Sequence, residues 1–98
     1  MFDKLKSVEK RHDDLNQLLS DPKIISQQSE FQKYAREQSE LSPIVNKFQE
    51  LQKINRQLEE NKKILDEEQD PEVVEMARED VADLETQKQE AEGALKLL

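Results

Sequence analysis

Between Glu30 and Glu67 the seam positions Phe31, Tyr34, Gln38, Leu41, Val45, Phe48, Leu51, Ile54 or Asn55, Leu58, Lys62 and Leu65 recur in alternating steps of three and four, with few departures. That is the spacing of a one-sided helix, and a stripe this long needs partner helices to cover it. Phe2, Leu5, Val8, His12, Leu15 and Leu19 share one face of an earlier helix. Val74, Ala77, Val81, Leu84, Lys88, Ala91, Leu95 and Leu98 form the most regular seam of the chain. The pattern predicts helices over about 2–19, 29–67 and 71–97.

Punctuation residues mark the boundaries. Asp21-Pro22 ends the first helix, because the residue before a proline is pushed out of helical geometry. Lys23 to Ser29 is expected to be a connector in which Ile24 and Ile25 plug one end of the bundle. Ser26 or Ser29 is placed to cap the next helix, and Ser29-Glu30-Phe31-Gln32 fits a capping box. Pro43 allows two readings: Ser42-Pro43 starts a new helix, or the proline kinks a continuous one. Leu41, Val45 and Phe48 keep the step across it, which favours the kinked single helix and a bend near 42–43. Asp70-Pro71-Glu72 is a helix start with an aspartate cap, proline at the first position and an acidic first turn.

At about 1.5 Å per residue the three helices would be roughly 27, 57 and 42 Å long. The short link at 66–70 turns the last two into an antiparallel hairpin. The first helix is too short to follow the second along its whole length. The expected fold is therefore all-α: an antiparallel three-helix bundle with a long, coiled-coil-like helical hairpin projecting from it, a single domain over 1–98. The ending Ala94-Leu95-Lys96-Leu97-Leu98 has no stop signal, so the chain is expected to be a fragment of a longer protein. Leu95, Leu97 and Leu98 could then pair two isolated fragments into a dimer.

Composition narrows this further. Hydrophobic residues make up 34%, charged residues 39% and aromatics 4%, with one glycine, a mix close to that of long-helix bundles. Such charge also suits disorder, but disordered chains lack sustained stripes. There is no cysteine, hence no disulfide or thiolate chemistry. Apolar runs never exceed two residues, far short of the roughly 20 that a membrane span needs. The formal charge of −8 is uneven: residues 1–50 hold 8 basic and 9 acidic residues, the rest 7 and 14. An acidic second half repels phosphate backbones, so direct nucleic-acid binding is not expected. Ten acidic and three basic residues between Glu59 and Asp80 make the hairpin tip a candidate contact surface for a basic partner. Its candidate residues are Glu59, Glu60, Glu67, Glu68, Asp70 and Glu72.

Candidate chemistry is sparse. Glu9-Lys10-Arg11-His12 matches the Glu-x-x-His element of di-iron bundles, but such a site needs a second copy and further carboxylates, and the chain has one histidine. Asp13-Asp14, Glu59-Glu60 and Glu67-Glu68 are adjacent pairs that diverge on a helix. No glycine-rich phosphate loop, zinc spacing or paired nucleophile and base is present. No catalytic, cofactor or metal site is therefore expected. Lys88, Asn55 and Lys62 occupy nominal seam steps, where their stems snorkel outward or their polar groups set the register.

MFDKL at the start, LLSDPKIIS, SEFQKYAREQSELSPIV and DPEVVEMAREDVADLE together resemble the N-terminal domain of bacterial class I peptide chain release factors, of the release factor one type. The resemblance covers nearly the whole chain. Ser20-Asp21-Pro22, Leu41-Ser42-Pro43-Ile44-Val45 and Asp70-Pro71-Glu72 are its most specific parts. Ser26-Gln27-Gln28 departs from it where the family commonly has Asp-Pro, and Ala35-Arg36-Glu37 varies a stretch that usually contains Lys-Glu. The resemblance implies a cytoplasmic translation termination factor that reads stop codons and promotes peptidyl-tRNA hydrolysis on the ribosome. The tripeptide and Gly-Gly-Gln motifs of those steps are absent from these residues. This domain would then lie near the stalk base of the large ribosomal subunit and the recycling GTPase. The rival expectation is a free-standing acidic coiled-coil adaptor or homo-oligomerisation module.

Overall fold

A computed structural model describes residues 2–97. Among them it contains four helices, α1 (Phe2–Leu19), α2 (Pro22–Ile25), α3 (Gln28–Glu67) and α4 (Pro71–Leu97), and no strand. The chain is all-α. It divides into two compact units, Met1–Asn46 and Lys47–Leu98.

In the first unit α1 lies antiparallel to the opening half of α3. His12 meets Ser42 and Asn16 meets Gln38, so a step of four forward on α1 matches a step of four back on α3. Leu5 and Leu15 of α1 and Val45 of α3 are buried, Leu15 completely. Phe2 lies on this stripe by spacing yet is 46% exposed, one step beyond Leu5 at the start of the helix.

The segment between α1 and α3 differs from its expected form. Asp21 ends α1 and also caps a short helix: its Oδ1 accepts from the Lys23 N–H at 2.9 Å, with Pro22 at the first helical position. The Ser26 backbone N–H closes α2 on the carbonyls of Ile24 and Pro22. Four residues of helix turn Ile25 outward, and it is 55% exposed rather than a plug, while Ile24 is half-buried. α3 begins at Gln28, its first turn closed by Phe31 N–H on the Gln27 carbonyl at 2.9 Å. Ser29 thus lies inside the first turn and does not cap it.

α3 continues through Pro43, which is exposed. Proline on the solvent side withholds one backbone hydrogen bond without wedging its ring into packed side chains.

In the second unit the later half of α3 and α4 are joined by three residues, which makes them an antiparallel hairpin. Phe48, Leu51, Ile54 and Leu58 are buried on one helix, and Ala77, Leu84, Ala91 and Leu95 on the other. Ile54, not Asn55, takes the disputed seam step. Lys62 is no seam residue: it is exposed and its Nζ lies 3.9 Å from Glu85 Oε1. Lys88 is half-buried, with room for its stem to run along the seam. Leu98, the last expected seam position, lies outside the described residues.

Candidate interaction surface

The connection at the hairpin tip is built by its own acidic side chains. The Glu68 N–H still closes the last turn of α3 on the Ile64 carbonyl at 2.8 Å. The Glu68 carboxylate accepts from the N–H groups of Gln69 and Asp70, both at 3.2 Å. Asp70 Oδ1 then accepts from the Glu72 N–H at 3.0 Å, and its carbonyl takes the Val74 N–H at 3.0 Å. A carboxylate at a helix start satisfies a backbone donor that the helix cannot, and it opposes the positive end of the helix dipole.

All six acidic residues singled out at the tip are exposed, but they are not equivalent. Glu68 and Asp70 hold the turn. Glu60 and Glu67 flank Lys63 and Ile64 along a shallow depression on α3. Glu59 projects from the opposite flank of α3 by helical spacing, and Glu72 sits in the first turn of α4.

One flank of the hairpin carries a groove. Its walls are Glu50, Lys53, Gln57, Glu60 and Asn61 from α3 and Asp80, Asp83 and Gln87 from α4, over a floor of Ile54 and Leu84. Asn61 is fixed there by donating from Nδ2 to the Gln57 carbonyl at 2.9 Å. Continuing the same faces toward the tip in steps of three and four reaches Ile64 on α3 and then Met76 and Val73 on α4. These three are exposed by 37%, 65% and 36%. The other flank holds the Lys62–Glu85 pair and, by the same spacing, Arg78. The groove flank therefore combines four carboxylates with exposed apolar side chains, while Glu59 and Glu85 share the other flank with Lys62 and Arg78.

The seam spacing held a signal for these apolar residues. Val74 and Ala77 fill the seam steps of early α4, and Leu65 fills that of late α3. Val73, Met76 and Ile64 are surplus to the stripe, and surplus apolar residues next to a seam face solvent.

The polar features of the first unit bind its two long helices together. Arg11 grips Glu37 with Nε on Oε1 at 2.7 Å and Nη2 on Oε2 at 2.8 Å. The hydrogen bonds from Arg11 hold the Glu37 carboxyl below its ordinary value, assisted by the charges of Arg11 and Lys33 and opposed by desolvation. Arg11 is raised in turn, chiefly by the same hydrogen bonds. The Ser42 hydroxyl donates to the Gln38 carbonyl at 2.8 Å, and His12 Nε2 lies 3.0 Å from Ser42 Oγ. Among the described residues no three His, Cys, Asp or Glu side chains group as a metal ion would need. No described helix is long and apolar enough to cross a membrane.

The polar side chains described thus build the hairpin turn, tie α1 to the opening of α3 and line an exposed charged groove. Residues 8–98 match the PCRF domain model, and the chain belongs to that family. It is 40% identical over its whole length to peptide chain release factor 1 of Syntrophobacter fumaroxidans. It is 41% identical, again over its whole length, to peptide chain release factor 1 of a Geobacillus species and of Listeria welshimeri. The match falls in the N-terminal region of release factor 1, and the chain spans 28% of the first of these relatives and 27% of the other two. No solved structure matches it.

Proposed function

We propose that this chain is the non-catalytic helical domain of a cytoplasmic translation termination factor. The observation that carries the reading is the unbroken likeness to peptide chain release factor 1, whole-chain at 40% identity. In such a factor, stop-codon reading and peptidyl-tRNA hydrolysis belong to other domains. This domain serves as the docking element, near the stalk base of the large ribosomal subunit and the recycling GTPase. The exposed acidic residues of the hairpin tip support that role, because a basic protein surface is the complement of such a field.

A chimera tests the reading. This chain replaces the matching N-terminal region of a release factor 1, and peptide release from stop-codon-programmed ribosomes is measured. Release within about tenfold of the parent is expected, whereas a chimera that folds but no longer acts on ribosomes would overturn the assignment. Charge reversal at Glu60, Glu67 and Glu72 in the chimera should weaken ribosome association and flatten its salt dependence. Glu68 and Asp70 are left intact in that variant because they build the turn.

A further inference from the structure

One flank of the hairpin joins the acidic groove to the exposed side chains of Ile64, Val73 and Met76. We infer that it is a docking face for a basic amphipathic helix of another protein. The inference rests on the reading of the hairpin as a docking element and names what the hairpin would hold.

Three features of the face select that occupant. Its apolar end is made of three side chains off the packing seam, with Met76 the most exposed at 65%, and methionine adapts its shape to a partner's side chains. Its groove carries four carboxylates, Glu50, Glu60, Asp80 and Asp83, with Lys53 the one cation in its lining; Glu50 is paired with Lys47 at 2.9 Å, which leaves Glu60, Asp80 and Asp83 to meet a partner's cations. The two zones follow one another along the same pair of helices, so a straight rod fits them both. A helix laid lengthwise would set apolar side chains on Met76, Val73 and Ile64 and extend lysines or arginines over the carboxylates. Nucleic acid and anionic membranes are repelled by the same carboxylates. A second copy of this acidic face would be repelled as well.

The test uses the purified 98-residue chain and a fluorescent peptide of about 18 residues, roughly five helical turns, with leucines at helical spacing on one face and lysines elsewhere. A peptide of identical composition with its leucines dispersed is the control, and affinity is read by anisotropy at about 50 and about 200 mM salt. The amphipathic peptide is expected to bind about tenfold more tightly than the dispersed one. Met76→Asp should weaken it by about tenfold or more, the order for losing one buried apolar side chain. The double reversal Asp80→Lys with Asp83→Lys should weaken it by a similar factor at the lower salt and by less at the higher. The double reversal Glu59→Lys with Glu85→Lys changes net charge equally on the other flank and should stay within about threefold. All substituted residues are outside the buried core, and circular dichroism checks that each variant is folded.

Equal binding of the two peptides, equal effects of the two double reversals, or no detectable binding would overturn the inference. So would dilution-sensitive self-association abolished by Met76→Asp, since a second copy would then cover the face. No ribosome takes part, so failure here with an active chimera removes the docking face alone. Peptide binding by this face alongside an inactive chimera would remove the termination reading instead.

Discussion

Two carboxylates in this chain act through geometry at the hairpin turn, and a third ties two helices; each makes a separable prediction. Asp70 caps α4 and Glu68 gathers the two preceding amides. Asp70→Ala should cost about 1 kcal/mol, the usual value of a lost cap, read as a lower urea midpoint at unchanged slope. Glu68→Gln retains an acceptor oxygen and should cost less than Glu68→Ala. Glu37 is the helix tie, with its carboxyl lowered from the ordinary value by the Arg11 guanidinium. A lowered folded value means that the pair's contribution is complete above the ordinary carboxylate range and is lost as pH falls through the folded value. Both side chains are partly exposed, at 43% and 35%, so solvent screens the pair and its contribution is modest. Arg11→Gln should return the Glu37 titration, followed by carbon NMR of the carboxyl, toward the ordinary range. An unmoved titration would show that Arg11 is not the cause.

At the scale of helices, two residues of low helix propensity sit in exposed interiors, and replacing either should stabilise the protein. Pro43 withholds the donor that would meet the Ser39 carbonyl, four residues earlier, and it faces solvent. Pro43→Ala should therefore raise stability by about 1–3 kcal/mol. Gly93 in α4 has no positive φ and nothing within 4 Å of an added Cβ, so Gly93→Ala should add about 0.5–1 kcal/mol. Thermal unfolding checks both, and a lower midpoint for either would show that these helices need the local weakness. Helix identity was legible because steps of three and four survive even where polar residues such as Gln38 and Lys88 interrupt the stripe. Pro71 behind Asp70 marked a start for the same steric reason that it works as one. The region around Ile24, Ile25 and Ser29 was not legible. Asp21-Pro22 both stops one helix and starts another, and apolar residues in so short a helix have no period to assign their face. The tip was half legible in its build: acidity could be counted, but only the fold separated Glu68 and Asp70, which hold the turn, from Glu60 and Glu67 beside the depression.

Charge acts on the two units unequally. Residues 1–46 carry 7 basic and 8 acidic residues, and residues 47–98 carry 8 and 15. The second unit thus holds nearly all of the net charge of −8 and is the one strained by self-repulsion. Its favourable pairs cannot offset this. Lys62–Glu85 is 3.9 Å apart with both side chains about half exposed, and Lys47–Glu50, although 2.9 Å, is a surface pair between residues three apart on one helix. Added salt should therefore relieve more repulsion than it removes attraction. Raising sodium chloride from about 10 to about 150 mM shortens the screening length from about 30 to about 8 Å. Amide protons of Leu84 and Ala91 in α4 should then exchange several-fold more slowly. Those around Leu15 in α1 should change by less than about twofold, because the first unit is nearly neutral and its Arg11–Glu37 tie loses some strength in salt. Equal slowing in both units would mean that salt acts through general solvent effects. Faster exchange in α4 would mean that its ion pairs outweigh its repulsion.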